Sequence, residues 1–451
     1  MNRPLLAARS GFIMLLFLLA VDGRAQQTAA QLAEAELPSL VAIYKELHAA
    51  PELSMHEEQT AAVMARELRA AGCAVTEHVG TYDKPGLTCF GVIGVLKNGA
   101  GPTVAVRTDL DGLPVLEETG LPYASKVFTT NDEGRRVPVM HACGHDTHMA
   151  AFIGTARLLA QTKSSWHGTV VFIGQPAEES VNGARALLKG GLYTRFPKPD
   201  FVLGMHDEPE LAAGQLGFTE GYAFASSDAI DVLVHGIGGH GAYPHKTKDP
   251  VVLSAQIITA WQTIASRQNN PLDPLVISVG SISGGTRYNI IPDEVKMQLT
   301  LRTYKKEVRE KALAAIQEVA TGCAIAAGLP SDKMPEVRVR DEGGTPATYN
   351  NPDLTRRIAG VFRETFGPEN VIQREPQMGA EDFTEYSLPD HSIPAFMFRF
   401  GAVDPAKVAE AKRTGASLPG LHSSKFAPLP EPAIRTAMRA MTGAVLELLK
   451  K

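Results

Sequence analysis

Strand and helix signals alternate along most of this chain. Short β-branched runs bounded by glycine or proline, at residues 91–96, 103–107 and 168–174, predict buried strands. Apolar or amphipathic stretches at 36–72 and 148–159 predict helices. This alternation is typical of an α/β domain with a mostly parallel sheet, in which ligands bind beyond the carboxyl ends of the strands.

One segment, residues 222–341, interrupts that alternation with an order of its own. It predicts a strand, a helix, two strands, a helix and a strand, at residues 228–235, 249–268, 275–281, 294–303, 305–327 and 335–340. This is the ferredoxin-like order, which packs two helices on one face of a four-stranded antiparallel sheet. Since 451 residues exceed one ordinary core, we expect a catalytic domain in two parts, 26–221 and 342–451, with an α+β domain inserted between them.

The N-terminus is a separate unit. Arg3 and Arg9 precede an apolar run at residues 12–21, and Gly23 and Ala25 supply the small residues of a cleavage site. Residues 1–25 therefore predict a signal peptide and an exported protein, periplasmic or secreted, with an uncleaved membrane anchor as the alternative. No other window is long and apolar enough to cross a bilayer, so no membrane association is expected after cleavage.

Composition argues against several classes of protein. Hydrophobic residues make up 44% and charged residues 21%, which indicates a globular chain rather than a disordered one. The net charge of -5 and the scattered lysines and arginines argue against nucleic acid as a partner. A structural or adhesive exported protein would show repeats or a disulfide framework, and neither is visible; a Cys73–Cys89 disulfide is left open.

Two short motifs indicate metal-assisted hydrolysis. Cys143 and His145 are two residues apart, so a thiolate and an imidazole can reach one side of a loop and hold a borderline divalent ion. Glu178 and Glu179 follow a predicted buried strand. Two consecutive glutamates cannot face the same way, so one can bind metal while its neighbour moves protons.

A series of segments in one order resembles a known family. The segments are His48–Ser54, Arg107–Pro114, Cys143–His145, Gln175–Glu179, Gly204–His206, Gly238–His245, Asn289–Pro292, Gly379–Phe383 and Leu421–Ser423. With them the chain resembles the two-metal amidohydrolases and exopeptidases that include aminoacylase, hippurate hydrolase, carboxypeptidase G and the auxin-conjugate hydrolases. Within that family it resembles the cysteine-ligand subgroup, which acts on N-acyl amino acids. The resemblance implies a zinc-exopeptidase-like catalytic domain with a lid that also dimerises.

The resemblance also implies a set of metal ligands. They are Cys143, His145, Glu179, His206 and His422. Cys143 stands where relatives carry a bridging aspartate, so its thiolate would link two ions. Asp109 stands where they carry a metal-binding histidine, so a weak or vacant second metal position is an alternative. Asp111 is expected to orient a ligand. Two divalent ions are implied, zinc or manganese, with cobalt or nickel as alternatives.

Four further residues have implied roles in catalysis or substrate binding. Glu178 would be the general base that takes a proton from the attacking water and passes it to the leaving amine. His240 matches a histidine that stabilises the oxyanion, often from the other subunit of a dimer. Asn289 and Arg302 match lid positions that contact the substrate, where a guanidinium suits the free carboxylate of an amino acid.

We therefore predict a homodimeric amidohydrolase that cleaves the amide bond of N-acyl amino acids. A metallo-dipeptidase or carboxypeptidase with the same residues is the alternative. A catalytically silent binding protein would lack a ligand or the base, and all six residues are present. The acyl group, the amino acid and the native metal are not determined by the sequence.

Overall fold

The computed structural model describes residues 29–341, 344–388 and 391–450. The predicted signal peptide, residues 1–25, lies outside them. Among the described residues, no helix has the length and apolar character needed to span a membrane. Cys73 and Cys89 are buried and are not joined in a disulfide.

The α-helices of the described residues are α1 (Ala29–Ala49), α2 (Glu58–Ala70), α3 (His145–Gln161), α4 (Gly183–Lys189), α5 (Leu192–Arg195), α6 (Pro250–Thr263), α7 (Lys306–Ala326), α8 (Pro352–Phe366), α9 (Pro405–Thr414) and α10 (Pro430–Leu449). A π-helical turn, Ile264–Gln268, extends α6, and a 3-10 helix spans Asp382–Ser387.

The strands are β1 (Ala74–Val79), β2 (Gly91–Asn98), β3 (Thr103–Asp109), β4 (Phe128–Thr130), β5 (Arg136–Pro138), β6 (Gly168–Gln175), β7 (Phe201–Ala212), β8 (Leu216–Phe218), β9 (Gly221–Phe224), β10 (Asp228–His235), β11 (Gly239–His240), β12 (Leu275–Ser283), β13 (Ile290–Ile291), β14 (Glu294–Thr303), β15 (Glu336–Val339), β16 (Thr348–Asn350), β17 (Val371–Gln373) and β18 (Ala395–Val403).

The largest sheet has eight strands in the order β1-β2-β6-β3-β7-β18-β8-β17. Its centre, from β6 through β3 and β7 to β18, is parallel, while β1 and β2 add an antiparallel edge. Helices α1, α3 and α10 pack together on this sheet around buried aromatic residues such as Phe152 and Phe398. The predicted α/β fold with a mostly parallel sheet is confirmed.

A second sheet of four strands, β12-β14-β10-β15, is antiparallel throughout. Helices α6 and α7 cover it, and their contact is fixed by the buried Trp261, whose indole N–H donates to the carbonyl of Ile316 at 2.9 Å. This is the predicted ferredoxin-like order. Strands β10 and β14 have the predicted bounds, because alternating apolar residues mark both of them from end to end.

The prediction of one helix over 36–72 is wrong, since α1 and α2 are separate helices. Pro51 lies between them; it lacks a backbone N–H and disfavours helical backbone at the residue before it. The connection brings Ser54 and Glu57 into contact with the loops that follow β3 and β6. The break therefore supplies residues that support the candidate site.

Candidate active site

The five predicted metal ligands meet at one edge of the central sheet. Cys143 and His145 flank Gly144 at the start of α3, Glu179 follows β6, and His206 lies on β7. Gly144 has φ 76°, and a Cβ there would come within 2.0 Å of Asp207. Only glycine lets the chain pass so close to β7. The fifth ligand, His422, comes from the loop before α10 and also has positive φ.

These side chains form two triads that share one sulfur. The first triad consists of Cys143, His145 and His206, and the second consists of Cys143, Glu179 and His422. In each triad, the candidate ligand atoms lie within 4.8 Å of one another. The Cys143 Sγ is 3.6 Å from Nε2 of His206, and Nε2 of His422 is 3.5 Å from Oε2 of Glu179. The arrangement suits two ions linked by a thiolate.

Hydrogen bonds direct both imidazoles of the first triad toward its centre. Nδ1 of His145 lies 2.8 Å from the backbone carbonyl of Asp111, and Nδ1 of His206 lies 2.8 Å from that of Asp207. Each Nδ1 therefore carries the proton, which leaves Nε2 as the electron-pair donor. In the described residues, Nε2 of His145 and Oε1 of Glu179 are buried without any hydrogen-bond partner. Buried polar atoms of this kind fit a cation.

The electrostatics of the site also favour a cation. Burial, together with the Glu381 and Glu179 carboxylates, raises the pKa of Glu178 well above its usual range. Burial raises the pKa of Glu179 to about 7 against the opposing charge of His145. Burial and the Glu179 carboxylate likewise raise the pKa of the Cys143 thiol. Several acidic groups crowded out of water need positive charge to ionise together.

Asp109, which stands where relatives carry a metal histidine, has other partners. One of its carboxylate oxygens lies 2.7 Å from Nδ1 of His148. The other accepts a hydrogen bond from the guanidinium of Arg107 at 2.7 Å. Nε2 of His148 accepts the backbone N–H of Asp207 at 2.9 Å. Although Asp109, His145 and His148 are close enough to form a further candidate metal group, these bonds already use the ring nitrogens of His148. We interpret Asp109 and His148 as supports for the ligands.

Asp111 holds two of the ligand segments. One carboxylate oxygen accepts the backbone N–H of Glu179 at 3.0 Å and the hydroxyl of Ser54 at 2.6 Å. The other lies 3.4 Å from Nδ1 of His145. Asp111 therefore contacts both segments, and its role in orienting a metal ligand stays a prediction.

Arg107 is a functional residue that the sequence reasoning missed. It is fully buried and donates to Glu381 at 2.9 Å, to Asp382 at 3.1 Å and to Gln175 at 2.9 Å. Glu381 and Asp382 had no predicted role, and the structure makes them the ion-pair partners of this guanidinium. An arginine inside an otherwise apolar strand was the signal that could have found it.

A cavity of about 500 Å³ opens over the triads. The general-base candidate Glu178 lines it, as do Arg302 of β14 and a polar wall of Glu208, Gln377 and Arg399. Arg302 is half-buried, and among the described residues its guanidinium donates no hydrogen bond. It is therefore available to a ligand.

Two predicted residues are not brought to this cavity. His240 lies on β11 and Asn289 beside β13; both are exposed, and neither lines the cavity. Strands β11 and β13 pair with each other at the surface. The fold of one chain does not place these two side chains at the triads.

Comparison with known proteins decides the family. The model of peptidase family M20/M25/M40 matches residues 105–414. The chain belongs to this family. It is 38% identical to an N-acetylcysteine deacetylase of Bacillus subtilis, over 80% of this chain and 88% of that one. It is 35% identical to thermostable carboxypeptidase 1 of Saccharolobus solfataricus, over 86% and 90% of the two chains.

A solved structure from the M20 family has the same architecture. It is the YXEP protein of Bacillus subtilis, described as a dinuclear metal binding peptidase, with a TM-score of 0.73 and 30% identity over 92% of this chain and 99% of that one. The predicted family resemblance is thus confirmed. The chain is a metal-dependent hydrolase of linear amides, as predicted.

The prediction of export is wrong. The relatives that count against export are the deacetylases named for N-acetylcysteine and N-acetyldiaminopimelate. The apolar run that led to the prediction of a periplasmic or secreted protein lies in residues 1–28, outside the described residues. A run of apolar residues with a small-residue cleavage pattern is a local signal that carries no information about the folded protein.

Proposed function

We propose that this M20 hydrolase cleaves the amide bond of N-acyl amino acids. The observation that carries the proposal is the pair of triads sharing Cys143, with Glu178 buried beside them at a cavity that Arg302 also lines. A relative named as a deacetylase of N-acetylcysteine supports this choice of substrate class.

We propose that two divalent ions are held by Cys143, His145, Glu179, His206 and His422. One thiolate, three imidazoles and a carboxylate favour zinc, with manganese as the second choice. Bound there, the ions would polarise the amide carbonyl and lower the pKa of a water molecule. The dinuclear M20 relative supports a pair of ions.

Glu178 is the proposed proton carrier. Both glutamates line the cavity that the substrate would enter, but only Glu179 also contacts His422, which leaves Glu178 for the proton. Its raised pKa suits a carboxylate that accepts a proton from water and then donates it to the leaving amine. Arg302 would bind the free carboxylate of the amino acid, since a guanidinium forms two parallel hydrogen bonds with that group.

We propose that residues 222–341 act as a lid and form the dimer interface, between the two catalytic segments 26–221 and 342–451. β12 is an edge strand of the lid sheet. Apolar side chains on and near it are exposed, among them Val252 of α6 and Ile282 of β12. An exposed apolar edge of this kind pairs readily with a second copy, and His240 would then reach the partner's cavity to stabilise the oxyanion.

The test is release of free amino acid from N-acetyl, N-benzoyl and N-indolylacetyl amino acids alongside dipeptides. The protein is stripped of metal and reloaded separately with zinc, manganese or cobalt. Metal-restored turnover of the N-acyl compounds supports the proposal. Preference for dipeptides would favour the alternative, a metallo-dipeptidase or carboxypeptidase, which the Saccharolobus relative represents.

Glu178→Gln tests the base directly. We expect turnover to fall by about 10²- to 10⁴-fold because the proton carrier is lost, while the metal content stays at the wild-type value. Glu179→Gln is the matched control, since it should lower the metal content as well. Full turnover in Glu178→Gln would refute the assignment.

A further inference from the structure

One carboxylate in the cavity wall, that of Glu381, is only half used by its contacts with the protein. Glu381 lies immediately before the 3-10 helix Asp382–Ser387 and lines the same cavity as Glu178. Its Oε1 accepts hydrogen bonds from the Arg107 guanidinium at 2.9 Å and from the backbone N–H of Phe383 at 3.0 Å. These two bonds fix the direction of the side chain and leave Oε2 without a role.

The carboxylates around Arg107 outnumber its single positive charge. Those of Asp109, Glu381 and Asp382 all bond to this one guanidinium. Both oxygens of Asp109 have partners, and so do both oxygens of Asp382, one of which accepts the backbone N–H of Ala184 at 3.0 Å. Among the described residues, Oε2 of Glu381 has no hydrogen-bond partner, and it is not sealed from the cavity. A charged oxygen in this position can accept a donor or a cation from a ligand.

Glu381 also lies close to the proposed base. Burial raises the pKa of Glu178, and the negative charge of Glu381 adds to this effect because the two carboxylates are near each other. Arg107 connects the two loops, since it donates to Gln175 at the end of β6 as well as to Glu381. A nitrogen that Glu178 protonates must lie within hydrogen-bond reach of Glu178. Such a nitrogen would therefore lie beside Glu381 as well.

Amide hydrolysis creates a cation at that nitrogen. Water adds its oxygen to the acyl carbon, the C–N bond breaks, and both protons of the water end on the nitrogen. The products at neutral pH are therefore a carboxylate and an α-ammonium group. Because positive charge develops on the nitrogen as the bond breaks, a carboxylate beside it binds the departing group more tightly than the intact amide and lowers the barrier.

We propose that Glu381 is a further catalytic residue, whose Oε2 accepts the amide N–H of the substrate and then pairs with the ammonium of the departing amino acid. The inference rests on the proposed amidohydrolase activity and adds to it the binding site of the leaving amine. Glu178 delivers the proton, Arg302 binds the α-carboxylate, and Glu381 binds the nitrogen.

The experiment compares an amide with the ester that has oxygen in place of the amide nitrogen. N-benzoylalanine and O-benzoyl-lactate form such a pair, and the ester releases an alcohol that carries no positive charge. Glu381→Gln keeps a carbonyl oxygen for Arg107 and Phe383 but removes the negative charge at the cavity. We expect its kcat/KM for the amide to fall by about 10- to 100-fold, and its kcat/KM for the ester to fall by less than about threefold.

Asp382→Asn is the matched control. Asp382 is as deeply buried as Glu381 and also bonds to Arg107, but it is not among the residues that line the cavity. Its substitution should lower amide and ester hydrolysis by the same factor, as a purely structural fault would. The metal content of both variants should stay at the wild-type value. Loss of metal from Glu381→Gln alone would mean that its oxygen binds an ion, and would overturn the inference.

Inhibition by the free product gives a readout that does not depend on ester turnover. Alanine carries the ammonium group, and lactate has a hydroxyl in its place. We expect wild-type enzyme and Asp382→Asn to bind alanine at least about tenfold more tightly than lactate. Glu381→Gln should lose that preference, which separates the carboxylate from a bound ion as its cause.

The outcomes distinguish the inference from the proposed function. Wild-type enzyme that binds lactate as tightly as alanine would overturn the inference, even if the Glu381 variant fails to fold. Equal loss of amide and ester hydrolysis in Glu381→Gln would overturn it too, while the proposed function stands. Absence of wild-type turnover on every N-acyl compound would instead refute the proposed function, and the inference would fall with it.

Discussion

At the scale of single residues, the Cys143 sulfur is the one candidate donor atom that both triads share. Without it the first triad keeps only His145 and His206, and the second only Glu179 and His422. Two ligands rarely retain a divalent ion, since protein sites of this kind use three or four. The thiol is also buried, so its ionisation requires nearby positive charge.

We therefore expect Cys143→Ala to lose both ions. Metal content, measured by elemental analysis after gel filtration, should fall from about two ions per chain to well below one. Cys323→Ser is the control, because that cysteine is only partly buried on α7, in the inserted segment. Retention of two ions by Cys143→Ala would show that the triads do not share the sulfur.

The sequence located the candidate ligands better than the residues that support them, for a physical reason. Cys143 and His145 lie in one short motif, whose spacing is itself the signal. Arg107 and Glu381 are 274 residues apart, and Arg399 and Glu208 are 191 apart. The first pair forms because the fold brings β3 next to the loop before the 3-10 helix, and the second because β18 and β7 are neighbours in the sheet. Local sequence patterns do not encode this register.

At the scale of elements, the loop after β6 carries both the proposed base, Glu178, and the proposed ligand, Glu179. Ala177 and Val181 have φ near 55°, a conformation that costs energy for residues other than glycine. The buried Glu57 compensates by accepting the backbone N–H of Ala177 at 2.7 Å, and also that of Met55 at 2.9 Å. Glu57 thus fixes the residue immediately before Glu178.

Glu57→Ala should lower kcat by about 10- to 100-fold with little change in KM, as expected when a supporting partner is lost. Glu57→Gln should restore most of the rate, because its carbonyl oxygen can accept the same N–H groups. The exposed Glu58→Ala is the control. Equal damage from the alanine and glutamine variants would contradict a role through that oxygen.

Helix α1 is attached to the start of α3 by an ion-pair cluster. Nδ1 of His48 lies 2.6 Å from Asp146, and its Nε2 lies 3.1 Å from Glu117. Burial alone would lower the pKa of His48, but these two carboxylates outweigh it and raise the pKa to about 10. Because the folded value lies above the unfolded value of 6.5, the stabilisation is complete below pH 6.5 and is lost as pH rises through 10.

His48→Gln should therefore destabilise the protein at pH 6 by about 3 kcal/mol, and by progressively less as the pH approaches 10. Scanning calorimetry of both proteins across this range gives the difference in Tm. The exposed His167→Gln should show no such trend. A difference that is constant with pH would mean that His48 is neutral in the folded protein.

The bounds of helices and strands were predicted well where apolar and polar side chains follow a regular helical or strand period. Strands β10 and β14 and helix α7 came within a residue of their bounds. The break between α1 and α2 was missed because apolar spacing continues across Pro51, although the proline itself was visible. The short strands β8 and β17 gave no local signal, because they form only at the edge of the large sheet, where β8 pairs with β18 and β17 pairs with β8.

At the scale of the whole molecule, one chain does not bring together all the residues of the proposed site. His240 is exposed on β11, away from the cavity, while β12 offers a free sheet edge on the same inserted unit. If two chains pair along that edge, each can supply His240 to the other's cavity. A site built from two chains can be tested by complementation, because each of two inactive variants still supplies the residue that the other lacks.

Mixing Glu178→Gln with His240→Ala provides that test. Each variant alone should be nearly inactive, since one lacks the base and the other the oxyanion donor. After subunit exchange, half of the dimers are mixed, and one of the two sites in each carries both intact residues, which predicts about a quarter of wild-type activity.

Val252→Glu introduced into both variants should disrupt the exposed apolar face of the lid and abolish the recovery. Recovery would establish that His240 acts across the dimer. No recovery, with exchange verified by light scattering and mass spectrometry, would place the oxyanion donor within one chain, and the lid would then have to rotate to bring His240 to its own cavity.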